Sequence, residues 1–501
     1  MITLDGESLH LDQVAAVARS GEPVEFASDA LKRMRQSRAV IESLALGDRP
    51  VYGVNTGFGQ LADVRIDPAR LEALQHNILR SHACGVGDPL PEPVVRAIML
   101  IRANVLARGF SGIRTQVAKR LLALLNKGVT PVAPSRGSVG ASGDLAPLAH
   151  IALVLIGEGA AHYQGRRLPG ADALAAAGIE PLSLQAKEGI SLVNGTQAML
   201  ATGGLALLDA EDLLEAADAA CALSLDALRG SPTAFDERIH RARPHPGQLS
   251  SAARLRLWLD GSQIRSSHQA CRRVQDAYSL RCAPQVHGAA ADALAEVRRV
   301  VNIELNSATD NPLVFDNDTL SGGNFHGQPL ALAFDYAALA LCSLAGISER
   351  RVDRLVNPAL NEGLPPFLAQ NPGLESGLMM LQVTAASLVA ELRVLANPAS
   401  PGSITTSGNK EDFVSMGMTS ALKFQQMVDL TRFVLAIELV TATHALETLR
   451  PLRTGDRLEI FRAELVHLLH PALEDRPRSA EIESVSAWIR EWRTRKTAWS
   501  S

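Results

Sequence analysis

The feature that most constrains this chain is its second half, where apolar residues recur at helical spacing over very long stretches. The pattern predicts helices over roughly 188–228, 248–269, 284–307, 327–356, 376–396, 411–449 and 457–470. In the longest, Met427, Leu430, Val434 and Ile437 keep the three-to-four spacing of one helix face. Helices longer than about 25 residues without internal breakers imply long antiparallel rods packed as a bundle. The side chains that could converge on chemistry are then left to the loops between rods: Gln275–Cys282, Thr309–Gly327, Pro358–Gly377 and Asn397–Asn409.

The first 200 residues read differently. A short β-like opening, Met1–Leu4, precedes helices around Leu11–Ala18 and Ala30–Leu44, and Leu71–Gly87 reads as a helix stopped by glycines. Helices follow over Val94–Arg108 and Val117–Asn126, the latter with Val117, Leu121, Leu124 and Leu125 on one face and Gly128 as its stop. Glu158–Pro181, punctuated by glycine and proline, reads as surface turns. The expected division is a loop-rich N-terminal domain over 1–200 and a long-helix bundle with C-terminal helices over 201–501.

Composition closes off several functions. A chain of 501 residues with 47% hydrophobic and 20% charged residues can bury a large core. A net charge of −4 leaves no electrostatic footprint for nucleic acid or an anionic membrane. Asp5 and Glu7 sit where a signal peptide would need an apolar run. The longest apolar runs, Ile151–Ile156 and Ala337–Leu344, are too short to span a bilayer and are expected in core helices. Cys84, Cys221, Cys271, Cys282 and Cys342 show no metal-type spacing, and a reduced cytoplasmic protein accounts for them most simply. The 13 histidines form no zinc motif, so neither a metal nor pyridoxal phosphate is expected.

Within the N-terminal part, Gly137-Ser-Val-Gly-Ala-Ser-Gly-Asp144 carries unusual chemical potential. The Gly143 nitrogen can attack the Ala141 carbonyl carbon, closing a five-membered ring, and Ser142 can lose its hydroxyl as water. The product is a methylideneimidazolone (MIO), an electrophile made from the chain alone. Ala141 is small, Ser142 supplies the leaving hydroxyl, and Gly143 offers an unhindered nitrogen and unusual dihedrals. Asp144 is then placed to cap the apolar helix Leu145–Ile156. Ala-Ser-Gly alone is a common tripeptide, and a glycine-rich loop before a capped helix is ordinary punctuation.

Val51–Gly59, with three glycines around Tyr52, is either a plain loop or a glycine-hinged lid presenting Tyr52 to a pocket. A phosphate loop is rejected, since no Gly-Lys-Ser/Thr follows and no helix begins at the last glycine. His82 ends its helix, where a solvated imidazolium would also be at home. Asn194 within Asn194-Gly195-Thr196 is disfavoured inside a helix and needs a hydrogen-bonding reason to be there. Arg281, three residues after Tyr278 in the loop Gln275–Cys282, has the fork that grips a carboxylate, though a surface salt bridge would use it equally.

The string Gly-Ser-Val-Gly-Ala-Ser-Gly-Asp-Leu-Ala-Pro-Leu-Ala resembles the signature of the histidine and aromatic amino-acid ammonia-lyases, and further matches run in order from Tyr52 to Glu411. The likeness is closest to bacterial histidine ammonia-lyases around His76–Gly87, Arg273–Gly288, Asn324–Pro329 and Glu349–Pro358. It implies a mainly α, aspartase/fumarase-like long-helix bundle with an MIO-bearing N-terminal domain, assembled as a homotetramer whose active sites are shared among subunits. It implies MIO at Ala141, Ser142 and Gly143, with Tyr52 taking the β-proton, Tyr278 assisting, and Glu411 relaying a proton or meeting the substrate ring. Arg281 would hold the carboxylate, and Asn194, Gln275 and Asn311 the amino-acid end and the MIO. His82, Phe325 and Met379 would line the ring pocket. The implied reaction removes ammonia from an aromatic L-amino acid, L-histidine to urocanate first among candidates. Tyrosine or phenylalanine lyase chemistry, or a 2,3-aminomutase, is the alternative. A catalytically dead scaffold would be expected to lack Ser142 or Tyr52, and both are present.

The chain departs from the histidine-lyase pattern between 397 and 415. Asn397 and Phe413 replace two histidines and Lys410 a glutamine, beside the expected substrate contact Glu411. That leaves the reaction class intact and puts the identity of the substrate ring in doubt.

Overall fold

A computed structural model describes residues 1–268, 274–470 and 474–495; Cys271 and the first residue of the Arg273–Gly288 stretch lie outside the described residues. The chain is mainly helical, with twenty α-helices and nine short strands among the described residues. It divides into two compact units. One comprises Met1–Leu205, Arg298–Asp335 and Pro398–Leu422, the other Ala206–Val297, Tyr336–Asn397 and Lys423–Ser501.

In the first unit, strand Ile2–Leu4 pairs in parallel with Val24–Phe26. The central helix is Glu92–Ala107, thirteen of whose 16 residues are buried, Arg102 and Asn104 among them. Helix Thr115–Lys127 buries Val117, Leu121, Leu124 and Leu125, the expected face. It stops at Gly128, which turns left-handed and donates its N–H to Leu124 and Leu125 carbonyls, a cap that a side chain would strain. The 158–181 excursion contains more structure than turns. Strands Ala160–Tyr163 and Arg166–Pro169 form a hairpin about Gln164 and Gly165, both at positive φ, and helix Gly170–Ala176 follows. A two-residue turn with both centres left-handed matches strand twist, and Gln164 gave no sequence warning of it.

The expected helix over 188–228 is two helices, Glu188–Val193 and Gln197–Ala227. Asn194 is extended and Gly195 sits at φ +153°. The carbonyls freed by this break need partners. The buried Arg102 guanidinium supplies them, donating to Asn194 O (2.8 Å), to Gln197 Oε1 (3.1 Å) and to Ser191 O. The break is what turns Asn194 out of the helical row.

The second unit holds helices Pro246–Leu259, Met379–Leu395, Asp456–Val466 and Ser479–Arg490, and most of Gln197–Ala227, Ala283–Leu305, Gln328–Val356 and Gly417–Glu447. The helix expected to reach 269 ends at Leu259, before Asp260 and a left-handed Gly261. Helix Gln328–Val356 carries an 18-residue window of mean hydropathy 1.9, 61% of it buried. By length and composition it passes as a membrane span, contrary to the count of uninterrupted apolar runs, because helix continuity carries the apolar stretch past Asp335 and Tyr336.

A buried polar layer stiffens this unit. Arg351 grips Glu438 with two bonds, 2.5 and 2.8 Å, and Ser224 and Ser348 donate to the same carboxylate. His287 lies between Arg351 Nη1 (3.3 Å) and Asp218 (2.7 Å). Arg351 also donates to Ser279 O, tying the layer to the short helix Tyr278–Arg281. Every member has a partner, the condition under which a buried network rigidifies rather than weakens a core.

Candidate active site

A cavity of about 790 Å³ opens in the first unit, lined from separate stretches of chain. Tyr52, His82, Ala141, Ser142, Asn194, Asn311, Phe325 and Glu411 all face it, eight of the residues singled out in the sequence.

Tyr52 sits on a loop that is pinned rather than plain. The buried Asn55 side chain accepts from Val51 N at 2.7 Å and donates to Leu44 O and Arg49 O. A three-residue 3-10 turn, Gly59–Leu61, does begin at the last glycine, and its Gly59 N–H points at the Tyr52 hydroxyl at 3.5 Å. One such turn provides no α-helical N-terminus for a phosphate. Burial pushes the Tyr52 phenol above its ordinary value, and the Glu411 charge pushes the same way, against the Gly59 hydrogen bond.

His82 is the last residue of helix Leu71–His82, with Nδ1 3.0 Å from Ser81 Oγ. Burial lowers its pKa more than Glu411 raises it, which favours neutral imidazole.

The tripeptide Ala141–Gly143 is held in a shape that suits ring closure. Gly143 lies at φ +75°, and a Cβ there would sit 2.1 Å from Gly195 O, so only glycine fits. The two glycine strands bridge in parallel, and Asp144 N donates to Gly195 O at 2.7 Å. Ala141 is buried, while the Ser142 hydroxyl faces the cavity and donates to Glu411 Oε1 at 2.8 Å.

Asp144 does not cap the helix that follows it. Its carboxylate instead accepts from Ser138 Oγ (2.7 Å) and from Met199 N (2.8 Å), an unpaired donor in the first turn of Gln197–Ala227. It therefore caps a helix remote in sequence, whose N-terminal dipole favours the anion. Burial outweighs this and raises the carboxyl to about 6, with Glu304 adding to the rise.

Glu411 is fully engaged. Besides Ser142, it accepts on Oε2 from Thr406 Oγ1 (2.7 Å) and Ser407 Oγ (2.8 Å). Lys410 lines the cavity but forms no ion pair with Glu411 among the described residues. Phe413, 59% exposed, also lines it, near-parallel to His326 at 6.1 Å. His326 accepts from Gln328 N and so carries its hydrogen on Nε2, donated to Phe413 O at 3.1 Å.

Gln275, Tyr278, Arg281 and Met379 belong to the second unit and do not line this cavity. Tyr278 is 71% exposed, with the Arg281 guanidinium 4.7 Å above its ring. Asn397 is likewise exposed and in the second unit.

Sequence reading missed the groups behind the wall. Lys187, fully buried and left-handed at φ +69°, donates to Asp310 Oδ2 (3.2 Å) and Ser191 Oγ (2.9 Å). Asp310 in turn accepts the main-chain N–H of Asn311 at 2.7 Å. A lysine before a helix looks like surface, and nothing local marked Arg102 as the stitch of the 194–196 break.

Known proteins resemble this chain over nearly its whole length. Residues 9–467 match the model of the aromatic amino acid lyase family. The chain is 58% identical to a histidine ammonia-lyase of Koribacter versatilis, covering 97% of both chains. It is 54% identical to that of Myxococcus xanthus, over 97% of this chain and 96% of the relative. Among solved structures, histidine ammonia-lyase from Trypanosoma cruzi aligns with a TM-score of 0.92 and 41% identity, over 99% of this chain and 94% of that one. A tyrosine aminomutase from Streptomyces globisporus aligns at 0.93 with 37% identity, over 99% and 98%. A signature, a cavity and a full-length match thus coincide, and this chain belongs to the aromatic amino acid lyase family.

Proposed function

We propose that this protein is an MIO-dependent histidine ammonia-lyase, converting L-histidine to urocanate and ammonia. The observation that carries the reading is the meeting of Ser142, Glu411 and His82 on one cavity wall, in a chain whose full-length relatives bear that name.

The glycine-pinned Ala141–Gly143 tripeptide would form the group, which supplies an electrophile that makes the substrate nitrogen a better leaving group. The chain's own residues do the rest. Tyr52 takes the β-proton. Neutral His82 and the Glu411 carboxylate meet the imidazole, the carboxylate accepting its N–H. Asn194 and Asn311 orient the amino-acid end. Gln275, Tyr278, Arg281 and Met379 act at the cavity of a neighbouring subunit in a homotetramer. Support for that assembly comes from the exposed apolar residues Leu332, Tyr336 and Leu339 on one helix and Met380, Val383 and Val394 on another, which a second copy would cover. The free cysteines Cys84, Cys221, Cys282 and Cys342 suit a cytoplasmic location.

A second reading is favoured by one observation: Phe413 adds exposed apolar surface to the cavity where the family's histidine lyases carry histidine. A tyrosine or phenylalanine lyase, or a 2,3-aminomutase, would use that surface. Intact-mass measurement tests the common core of both readings. The purified protein should be lighter than its encoded chain by the waters lost at Ala141–Gly143, and Ser142→Ala, which has no hydroxyl to eliminate, should fold, lack the second water loss and lose nearly all activity. An encoded mass in the wild type would refute the proposal.

A further inference from the structure

Ring closure at Ala141–Gly143 must remove the Ser142 hydroxyl, and that hydroxyl is held. It donates to Glu411 Oε1 at 2.8 Å, across 269 positions of sequence. The other carboxylate oxygen is clamped by Thr406 and Ser407 hydroxyls at 2.7 and 2.8 Å, and Thr406 also bridges Glu411 through the main chain. One oxygen is therefore fixed and the other aimed at the one hydroxyl that has to leave. A contact with substrate would explain Glu411 on the cavity wall; it does not require this aim.

We propose that Glu411 is the proton carrier for the dehydration of Ser142, a role on the protein's own chain that precedes any role toward substrate. The inference rests on the self-cyclising reading of the site given above. In the first condensation the Gly143 nitrogen bonds to the Ala141 carbonyl carbon, and the carbonyl oxygen leaves as water with the hydrogens of the Gly143 and Ser142 amides. In the second, Glu411 accepts the Ser142 Cα hydrogen as a proton. The C–H electron pair becomes the second Cα–Cβ bond, the Cβ–Oγ bond breaks, and Glu411 returns the proton to the departing hydroxide, which leaves as water. Glu411 ends as it began, and no oxidant, reductant or co-reactant is consumed.

Hydroxide leaves poorly unless a proton reaches it as the bond breaks. A proton donor must lie within about 2.6–3.2 Å of the oxygen it serves, and Glu411 Oε1 stands 2.8 Å from Ser142 Oγ. Glu411 is the hydrogen-bond partner of the Ser142 hydroxyl, while the Tyr52 oxygen accepts from Gly59 N–H, His82 Nδ1 meets Ser81 Oγ, and Asp144 is taken by Ser138 and Met199.

Intact-mass spectrometry of Glu411→Gln tests this without reference to turnover. The wild type should be two waters lighter than encoded. Glu411→Gln should keep the Ser142 hydroxyl in most molecules after the same expression time, with the last dehydration slowed about a hundredfold or more. Glu411→Asp, which keeps the carboxylate, should recover the loss in part. Where Glu411→Gln does not fold, Thr406→Val, which loosens the clamp, should shed its last water more slowly than the wild type. A Glu411→Gln protein as light as the wild type, a Glu411→Asp protein no better than it, or a Thr406→Val protein at the wild-type rate would overturn the proposal. A wild type at its encoded mass would instead sink the lyase reading itself.

Discussion

The side-chain nitrogen of Asn194 donates to the main-chain carbonyl of Asn311 at 3.3 Å, and this fixes which end of the Asn194 amide the cavity meets. Reversed, two oxygens would face each other. The Asn194 Oδ1 is therefore left buried with no partner, in a residue only 2% exposed. A buried unpaired acceptor is costly and calls for a donor, and in the proposed function a substrate ammonium would be that donor. Asn194→Ala should lower kcat/KM for the amino acid by about ten- to a hundredfold, the worth of one hydrogen bond to a charged group. Steady-state kinetics on a variant with an unchanged melting curve checks it; an undiminished kcat/KM would contradict the assignment.

The Lys187–Asp310 pair sets the Asn311 loop behind that amide, and both partners are fully buried. Breaking one partner of such a pair leaves an uncompensated charge and typically costs about 3–5 kcal/mol. Asp310→Asn should show a loss of this size in denaturant unfolding. The double variant Lys187→Met with Asp310→Asn should recover most of it, because no charge is then left alone. Equal destabilisation of single and double variants would show that the pair's charge is not what matters.

These two networks also mark the limit of what the sequence made legible. Helical periodicity foretold the face of Thr115–Lys127 and most of the long rods, because burial of one stripe is written locally. The Ala-Ser-Gly stretch, Tyr52 and Glu411 were legible because each sits in a distinctive string. The 194–196 break was hidden because its cause, Arg102, lies 92 residues away and supplies carbonyl partners that no local pattern encodes. Asp144 was misread for a similar reason. It precedes a helix and looks like its cap, yet its carboxylate serves Met199, whose proximity is tertiary.

The pH profile follows from Tyr52. A phenol pushed above the ordinary 10.0 is almost wholly protonated at neutral pH. If its phenolate is the base, the active fraction rises about tenfold per pH unit until the pKa is reached. Activity should therefore climb from neutral into alkaline buffer with no plateau below the ordinary tyrosine value. Tyr52→Phe should chiefly lower kcat and flatten that climb. A variant with near-normal kcat would move the role to another group, Tyr278 first.

Metal and pyridoxal phosphate are not expected to be required. No group of three or more potential ligand side chains stands together among the described residues. Exhaustive chelation and dialysis should leave kcat unchanged, and recovery of lost activity only on adding a metal ion would contradict this.

A site whose half-buried Glu411 carboxylate is to accept an imidazole N–H disfavours an apolar analogue, since its own group is left unpaired. Thr406 and Ser407, rather than Lys410, hold Glu411, so its Oε1 faces the cavity once the Ser142 hydroxyl is gone. The most direct test is a side-by-side measurement of kcat/KM for L-histidine, L-tyrosine and L-phenylalanine, with products identified. The account predicts histidine highest, urocanate as product, and a large loss of histidine turnover in Glu411→Gln protein that has cyclised. Tyrosine or phenylalanine exceeding histidine, or a β-amino acid as main product, would contradict it and make Phe413 and Lys410 the residues that set the substrate.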